Sequence, residues 1–102
     1  MYELNVTELA NDDLERIVLY ISENLANKKA ASDFLIEVEK CYDYLRSNPY
    51  IYQKCDEIPL SNSGYRKALI KNYILIFKVN EDEKRTTIYR FFYAARDYFK
   101  LL

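Results

Sequence analysis

The sequence predicts a two-layer α+β fold, in which a helical hairpin packs on a small, mostly antiparallel sheet in the order β-α-α-β-β-β. Two observations indicate it. Apolar residues between positions 7 and 47 recur at helical spacing, whereas positions 65–93 hold three short runs of β-branched and aromatic residues separated by turn-type residues. At 102 residues the chain can bury one modest core, so we expect a single domain over residues 1–102.

The first two elements are a short strand and a helix. Tyr2, Leu4 and Val6 alternate with polar residues, which is the period of a strand that is apolar on one face. Thr7 is suited to cap the next helix, because its hydroxyl can accept a hydrogen bond from a backbone N–H of the first turn. The helix carries an apolar stripe with steps of three and four residues: Ala10, Leu14, Ile17, Ile21 and Leu25.

A second helix completes an antiparallel hairpin, and Asn27 has the side chain of its cap. Its apolar stripe comprises Ala31, Phe34, Leu35, Val38, Cys41, Tyr42 and Leu45. It ends near Ser47, because Pro49 disfavours helical geometry at Asn48. The acidic residues are assigned to the solvated outer faces of the hairpin: Asp12, Asp13, Glu15, Glu23, Asp33, Glu37, Glu39 and Asp43.

The last third of the chain predicts strands over 65–70, 73–79 and 86–93, with an acidic loop over 80–84, after an irregular segment over 49–64. In the final strand both alternating sets are mostly apolar, so alternation does not decide which set faces solvent. Arg90 lies in the middle of this strand, where a buried guanidinium needs a partner. We expect it to pair with an acidic residue such as Asp97 or to point into a functional groove.

Composition excludes several kinds of site. Histidine is absent, Gly64 is the only glycine, and the two cysteines are not spaced like a zinc site, so no metal or cofactor is expected. No apolar run approaches the roughly 20 residues of a membrane span. The N-terminus lacks the basic and apolar regions of a signal peptide, so we expect a cytoplasmic protein without membrane association.

Charge is segregated along the chain. Residues 1–64 carry six Lys/Arg against twelve Asp/Glu, whereas residues 65–102 carry nine Lys/Arg against four Asp/Glu. The basic half suits a polyanionic target or a very acidic protein partner. The alternative is that these cations only decorate exposed strand faces.

An ordered series of residues in the basic half resembles the RelE/ParE superfamily of toxins, the toxic halves of bacterial type II toxin–antitoxin modules. The series is Tyr65-Arg66-Lys67, Asn72-Tyr73-Ile74, Arg90-Phe91-Phe92-Tyr93 and Arg96-Asp97-Tyr98, closing on Leu101-Leu102. The resemblance extends over essentially the whole chain and implies the same fold. It also implies two activities, since RelE-like members are ribosome-dependent messenger RNA endonucleases and ParE-like members poison DNA gyrase without a nuclease site.

RNA cleavage without metal or histidine is chemically possible on the sheet face that the helices leave free. The 2′-hydroxyl can attack the adjacent phosphate, and guanidinium and ammonium groups then stabilise the developing charge. The candidate catalytic residues are Arg66, Arg90, Tyr93 and Arg96, and the candidate RNA-binding residues are Lys67, Lys71 and Tyr98. Many relatives carry histidine where this chain has Tyr93, so a histidine-based mechanism does not apply here.

The resemblance therefore implies a toxin that a cognate antitoxin neutralises, with a role in plasmid stabilization. The first hypothesis for its target is cleavage of ribosome-bound message, and the alternative is DNA gyrase. A third hypothesis is a degenerate toxin that only forms a complex with its antitoxin. The expected antitoxin wraps the toxin with a C-terminal segment that folds on binding, and operator DNA is contacted only through the antitoxin.

Overall fold

The computed structural model describes residues 1–55 and 62–95 of the chain. The elements are β1 (Glu3–Val6), α1 (Glu8–Leu19), a π-helical turn (Tyr20–Asn24), α2 (Lys28–Ser47), a 3-10 turn (Pro49–Ile51), β2 (Arg66–Ile70), β3 (Tyr73–Asn80) and β4 (Arg85–Tyr93). Predictions for positions 56–61 and 96–102, which include Arg96, Asp97 and Tyr98, lie outside the described residues.

The four strands form one mixed sheet in the order β1-β4-β3-β2. β1 runs parallel to β4, from the pair Glu3–Arg85 to the pair Val6–Ile88, and the other two pairings are antiparallel. The parallel pairing requires a long crossover, which the two helices provide. The predicted α+β fold and its β-α-α-β-β-β order are confirmed.

Both predicted helix caps are present. The Ala10 N–H donates to Thr7 Oγ1 at 3.1 Å, and the Ala30 N–H donates to Asn27 Oδ1 at 3.0 Å. Each side chain satisfies one backbone donor that the first turn leaves without a partner. The caps therefore fix where α1 leaves the end of β1 and where α2 begins.

The main core lies between the helices and one face of the sheet. Its buried members from α2 are Ala31, Phe34, Val38, Cys41, Tyr42 and Leu45, and from the sheet Ala68, Ile70, Leu75, Phe77, Ile88 and Phe91. The predicted stripe of α2 is thus buried except for Leu35, which is exposed. Burial raises the pKa of the Cys41 thiol to about 11, as expected for a packed side chain.

The predicted stripe of α1 is wrong at Leu25, whose residue is 56% exposed, whereas Ile21 is buried. The helix widens into a π turn at Tyr20–Asn24, and the Leu25 N–H donates to the Tyr20 C=O, five residues back, at 3.1 Å. This wider turn changes the angular position of every residue after it. Leu25 therefore leaves the buried face that regular helical spacing assigns to it.

A β-bulge interrupts the alternation of faces along β4. Phe77 pairs with Ile88 and Ile76 pairs with Arg90, so Tyr89 is an additional residue on β4. Ile88 therefore shares the helix-covered face with Phe91 instead of with Phe92. The opposite face is not wholly bare, because Cys55, Ile74, Ile76 and Phe92 form a second small apolar cluster there.

Candidate functional site

Arg90 is held by a carboxylate of the first helix. Its Nε donates to Asp13 Oδ2 at 2.7 Å and its Nη2 donates to Asp13 Oδ1 at 3.1 Å. The prediction that Asp13 lies on the solvated face is wrong, since Asp13 is buried. Asp13 stands three residues after Ala10 and four before Ile17, and this spacing in the sequence already places it on the inner face of the helix.

Asp13 also takes the place of a missing strand. β1 ends at Val6, which pairs with Ile88, so the rest of β4 has no strand partner on that side. α1 occupies this edge, where the Thr7 hydroxyl donates to the Tyr89 C=O at 3.1 Å and the Phe91 N–H donates to Asp13 Oδ2 at 3.1 Å. The carboxylate thus satisfies an edge donor that would otherwise be buried without a partner.

A second guanidinium reaches the same carboxylate. Arg16 Nη2 donates to Asp13 Oδ1 at 2.6 Å, and 65% of the Arg16 side chain is exposed. The Arg90 guanidinium also stacks on Phe92, with its carbon 4.6 Å from the ring centroid. Arg90 is therefore fixed in place by several contacts, whereas Arg16 has one such contact among the described residues and most of its side chain is exposed.

These residues form one end of a groove of about 510 Å³ between α1 with its π turn and the ends of β3 and β4. Among the described residues it is lined by Asp13, Arg16, Ile17, Tyr20, Leu25, Asn72, Tyr73, Arg90, Phe91, Phe92 and Tyr93. Tyr73 and Tyr93 meet edge to face with their centroids 5.7 Å apart. The groove therefore combines a charged end with tyrosine walls.

Arg66 lies apart from this groove. It pairs with Phe77, whose side chain is in the helix-side core, and its Nη1 donates to the Tyr52 C=O at 2.7 Å. Its guanidinium carbon lies 4.9 Å from the centroid of the Tyr50 ring. β3 separates the strand of Arg66 from the strand of Arg90. The structure thus brings Arg90 and Tyr93 to one groove and places Arg66 elsewhere.

The remaining candidates are also dispersed. Lys67 pairs with Ile76, so its side chain belongs to the face opposite the helices. Lys71 is exposed in the turn between β2 and β3, with a φ of 56°. Arg96 and Tyr98 lie outside the described residues.

A second polar cluster ties three chain segments together at the other end of the sheet. The Tyr2 and Tyr50 hydroxyls each donate to Glu81 Oε2 at 2.7 Å, and Lys84 Nζ donates to Glu81 Oε1. The contacts with Lys84, Tyr50 and Tyr2 lower the pKa of the exposed Glu81 carboxyl to about 2. The hydrogen bond to Glu81 in turn raises the pKa of Tyr50 to about 12.

Every tyrosine with a resolved shift in the described part of the chain has a raised pKa. These are Tyr2, Tyr42, Tyr50, Tyr52 and Tyr73. A tyrosine acting as a general base needs the opposite shift, so these five do not fit that role. Within residues 1–55 and 62–95, no group of three or more histidine, cysteine or carboxylate side chains is placed to hold a metal ion.

None of the helices in the described ranges has the length and apolar character that crossing a membrane requires. This finding concerns α1, α2 and the short helical turns that follow them.

Comparisons with known proteins agree with the fold. The model of the family described as ParE toxin of type II toxin–antitoxin system, parDE, matches residues 4–98. A chain from the chromosomal ParDE system of P. aeruginosa aligns with a TM-score of 0.71 and 20% identity, covering 91% of this chain and 96% of that one. A chain from the RelBE2 toxin–antitoxin complex of Mycobacterium tuberculosis aligns with a TM-score of 0.56 and 17% sequence identity. The alignment covers 90% of this chain and 96% of that one. No curated protein matches the sequence.

Proposed function

The chain belongs to the ParE toxin family of type II toxin–antitoxin systems, and from this premise we propose that it inhibits growth by binding DNA gyrase rather than by cutting message. Membership confirms the resemblance to the RelE/ParE superfamily. The single observation that carries the choice of target is the engagement of the Arg90 guanidinium by the buried carboxylate of Asp13.

Cleavage of RNA without a metal needs cationic donors that are aimed at the phosphate. The Nε and Nη2 groups of Arg90 are aimed instead at Asp13. Removing one partner from a buried ion pair typically costs about 3–5 kcal/mol, so turning Arg90 towards a substrate would remove much of the stabilisation the pair provides. Arg66 is similarly engaged by the Tyr52 carbonyl. This arrangement favours a toxin that acts through binding.

Endonucleolytic cleavage of ribosome-bound message remains the rival function. One observation favours it, which is that Arg90 and Tyr93 border the same groove. In that function Arg90 and Tyr93 would contact the message and Arg66 and Arg96 would contribute charge. A degenerate toxin that only binds its antitoxin is the third function.

We propose a cognate antitoxin as the partner of this chain, encoded by a short reading frame beside its own. The solved relatives come from a ParDE system and from a RelBE2 complex, both of them toxin–antitoxin assemblies by name. The antitoxin would wrap the toxin with a segment that folds on binding and would alone contact operator DNA. The complex would form in the cytoplasm.

The test is a supercoiling assay with purified gyrase, relaxed plasmid and ATP. We expect the protein to block supercoiling or to trap linear plasmid, and the antitoxin to reverse the effect. Relaxation by topoisomerase I serves as the control for non-specific inhibition. Undisturbed supercoiling at a large molar excess of folded toxin would contradict the gyrase target.

A further inference from the structure

The groove beside Arg90 presents three exposed side chains that the proposed function leaves unused. Tyr20 and Tyr93 are each 48% exposed, and the Arg16 side chain is 65% exposed. Large aromatic side chains that remain exposed beside a concave surface are typical of sites that bind a partner. The groove is therefore the strongest candidate for a recognition site among the described residues.

Arg16 retains the capacity to bind an anion. Its contact with Asp13 uses Nη2, and a guanidinium carries five N–H donors in a planar fork. Bidentate binding uses either the Nε–Nη2 edge or the Nη1–Nη2 edge, and Nη2 carries two hydrogens, so the contact with Asp13 leaves one such edge for a carboxylate. Because Asp13 anchors the other side, the fork is held in a defined orientation before any ligand arrives.

The π turn aligns the apolar part of the groove with this cation. Tyr20 stands four residues after Arg16, which places the two side chains on the same side of the helix. Leu25 lines the same groove, because the i to i+5 repeat of the π turn brings it into line with Tyr20. Tyr93, at the end of β4, lines the groove as well. The lining thus combines a cation with aromatic and aliphatic side chains.

We propose that this groove receives an acidic segment of the antitoxin, with a carboxylate on Arg16 and an aromatic or aliphatic side chain between Tyr20 and Tyr93. The inference rests on the antitoxin partnership proposed above. Charge complementarity argues for this occupant, since residues 1–64 carry twelve Asp/Glu against six Lys/Arg and would repel an acidic segment elsewhere on the hairpin. A volume of about 510 Å³ holds a few side chains of such a segment.

The test measures binding of the small protein encoded beside this chain by titration calorimetry, with wild type, Arg16→Gln and Lys40→Gln. Lys40 is a matched control, because its side chain is also 65% exposed and pairs with an acid three residues away. We expect Arg16→Gln to weaken binding about tenfold or more, because it removes one charge-assisted contact, and Lys40→Gln to leave binding unchanged. Circular dichroism confirms that both variants are folded.

A second measurement locates the contact without removing a charge. A photo-crosslinking phenylalanine analogue is placed at Tyr20, Tyr93 or Tyr44, the last being 53% exposed on α2 outside the groove. We expect antitoxin crosslinks from positions 20 and 93. If Arg16→Gln binds the antitoxin as tightly as wild type and only Tyr44 gives crosslinks, the groove is not the binding site, although the antitoxin partnership stands. No binding by wild type would overturn both.

Discussion

The carboxylate of Asp13 lies 2.7 Å from Nε of Arg90, although 77 residues separate them in the sequence. The contact joins the first helix to the last strand and also satisfies the Phe91 N–H. One side chain therefore closes the edge of the sheet beyond β1, neutralises a mostly buried guanidinium and forms the end of the groove. The proposed choice of target follows from this relationship.

Replacing Asp13 by alanine should destabilise the protein by about 3–5 kcal/mol, because it removes the buried carboxylate that contacts Arg90 and the Phe91 N–H. Urea denaturation followed by circular dichroism measures the change. Asp12→Ala is the control, since this neighbouring carboxylate is exposed and should alter stability by less than about 0.5 kcal/mol. Equal effects of the two substitutions would contradict the structural role of Asp13.

The double variant Asp13→Leu with Arg90→Met should recover part of the stability that Asp13→Leu alone loses. It removes both charges together, and apolar replacements of a buried ion pair are often tolerated. Denaturation of the two single variants and the double variant forms a mutant cycle. Strictly additive losses would mean that the two side chains are not coupled.

Because of the π turn, alanine substitutions at Ile21 and Leu25, two residues of the apolar stripe predicted for the first helix, should have different effects on stability. Ile21→Ala should cost about 2–5 kcal/mol, because it opens a cavity in the core, whereas Leu25→Ala should change stability by about 0.5 kcal/mol or less. Thermal or urea unfolding compares them directly. A large loss for Leu25→Ala would mean that the regular helix predicted from the sequence continues to Leu25.

The cluster around Glu81 predicts a loss of stability at acid pH. The pKa of the folded carboxyl is about 2, against an ordinary 4.5, so its stabilising contribution is complete above pH 4.5 and is lost as the pH falls through 2. The difference in melting temperature between wild type and Glu81→Gln should therefore be largest at neutral pH and disappear towards pH 2. A difference that grows on acidification would have the wrong sign.

Both cysteines in the chain should resist alkylation while the protein is folded. Cys41 and Cys55 are buried, and the raised pKa of Cys41, about 11, keeps its thiol protonated near neutral pH. Iodoacetamide labelling followed by mass spectrometry should show modification only when denaturant opens the core. Rapid labelling of native protein would indicate that the core is less closed than the structure describes.

The sequence predicted most of the fold because its local signals agree with one another. The caps at Thr7 and Asn27, the stripe of α2 and the three final strands depend on residue type and spacing within a few positions. The predicted bounds 65–70, 73–79 and 86–93 differ from β2, β3 and β4 by one residue at most at either end.

The errors arose where distant segments decide the outcome. The bulge at Tyr89 moves the residues after it to the opposite faces of the sheet from those that simple alternation assigns. The π turn moves Leu25 out of the core. Neither irregularity has a clear signal in the neighbouring sequence. Asp13 was grouped with the other acidic residues on the solvated faces of the hairpin, whereas its partner lies in the last strand. Its position between Ala10 and Ile17 was the available indication.

The choice between gyrase and message is tested most directly by inducing this protein in growing cells. Pulse labelling of DNA and protein synthesis is combined with mapping of message 5′ ends, for wild type, Arg90→Ala and Tyr93→Phe. We expect replication to stop first while messages remain intact. Rapid loss of protein synthesis with new cuts inside translated messages, abolished by the exposed-site variant Tyr93→Phe, would contradict this and establish the nuclease. Arg90→Ala also breaks the buried pair with Asp13, so it serves only as a comparison for loss of folding.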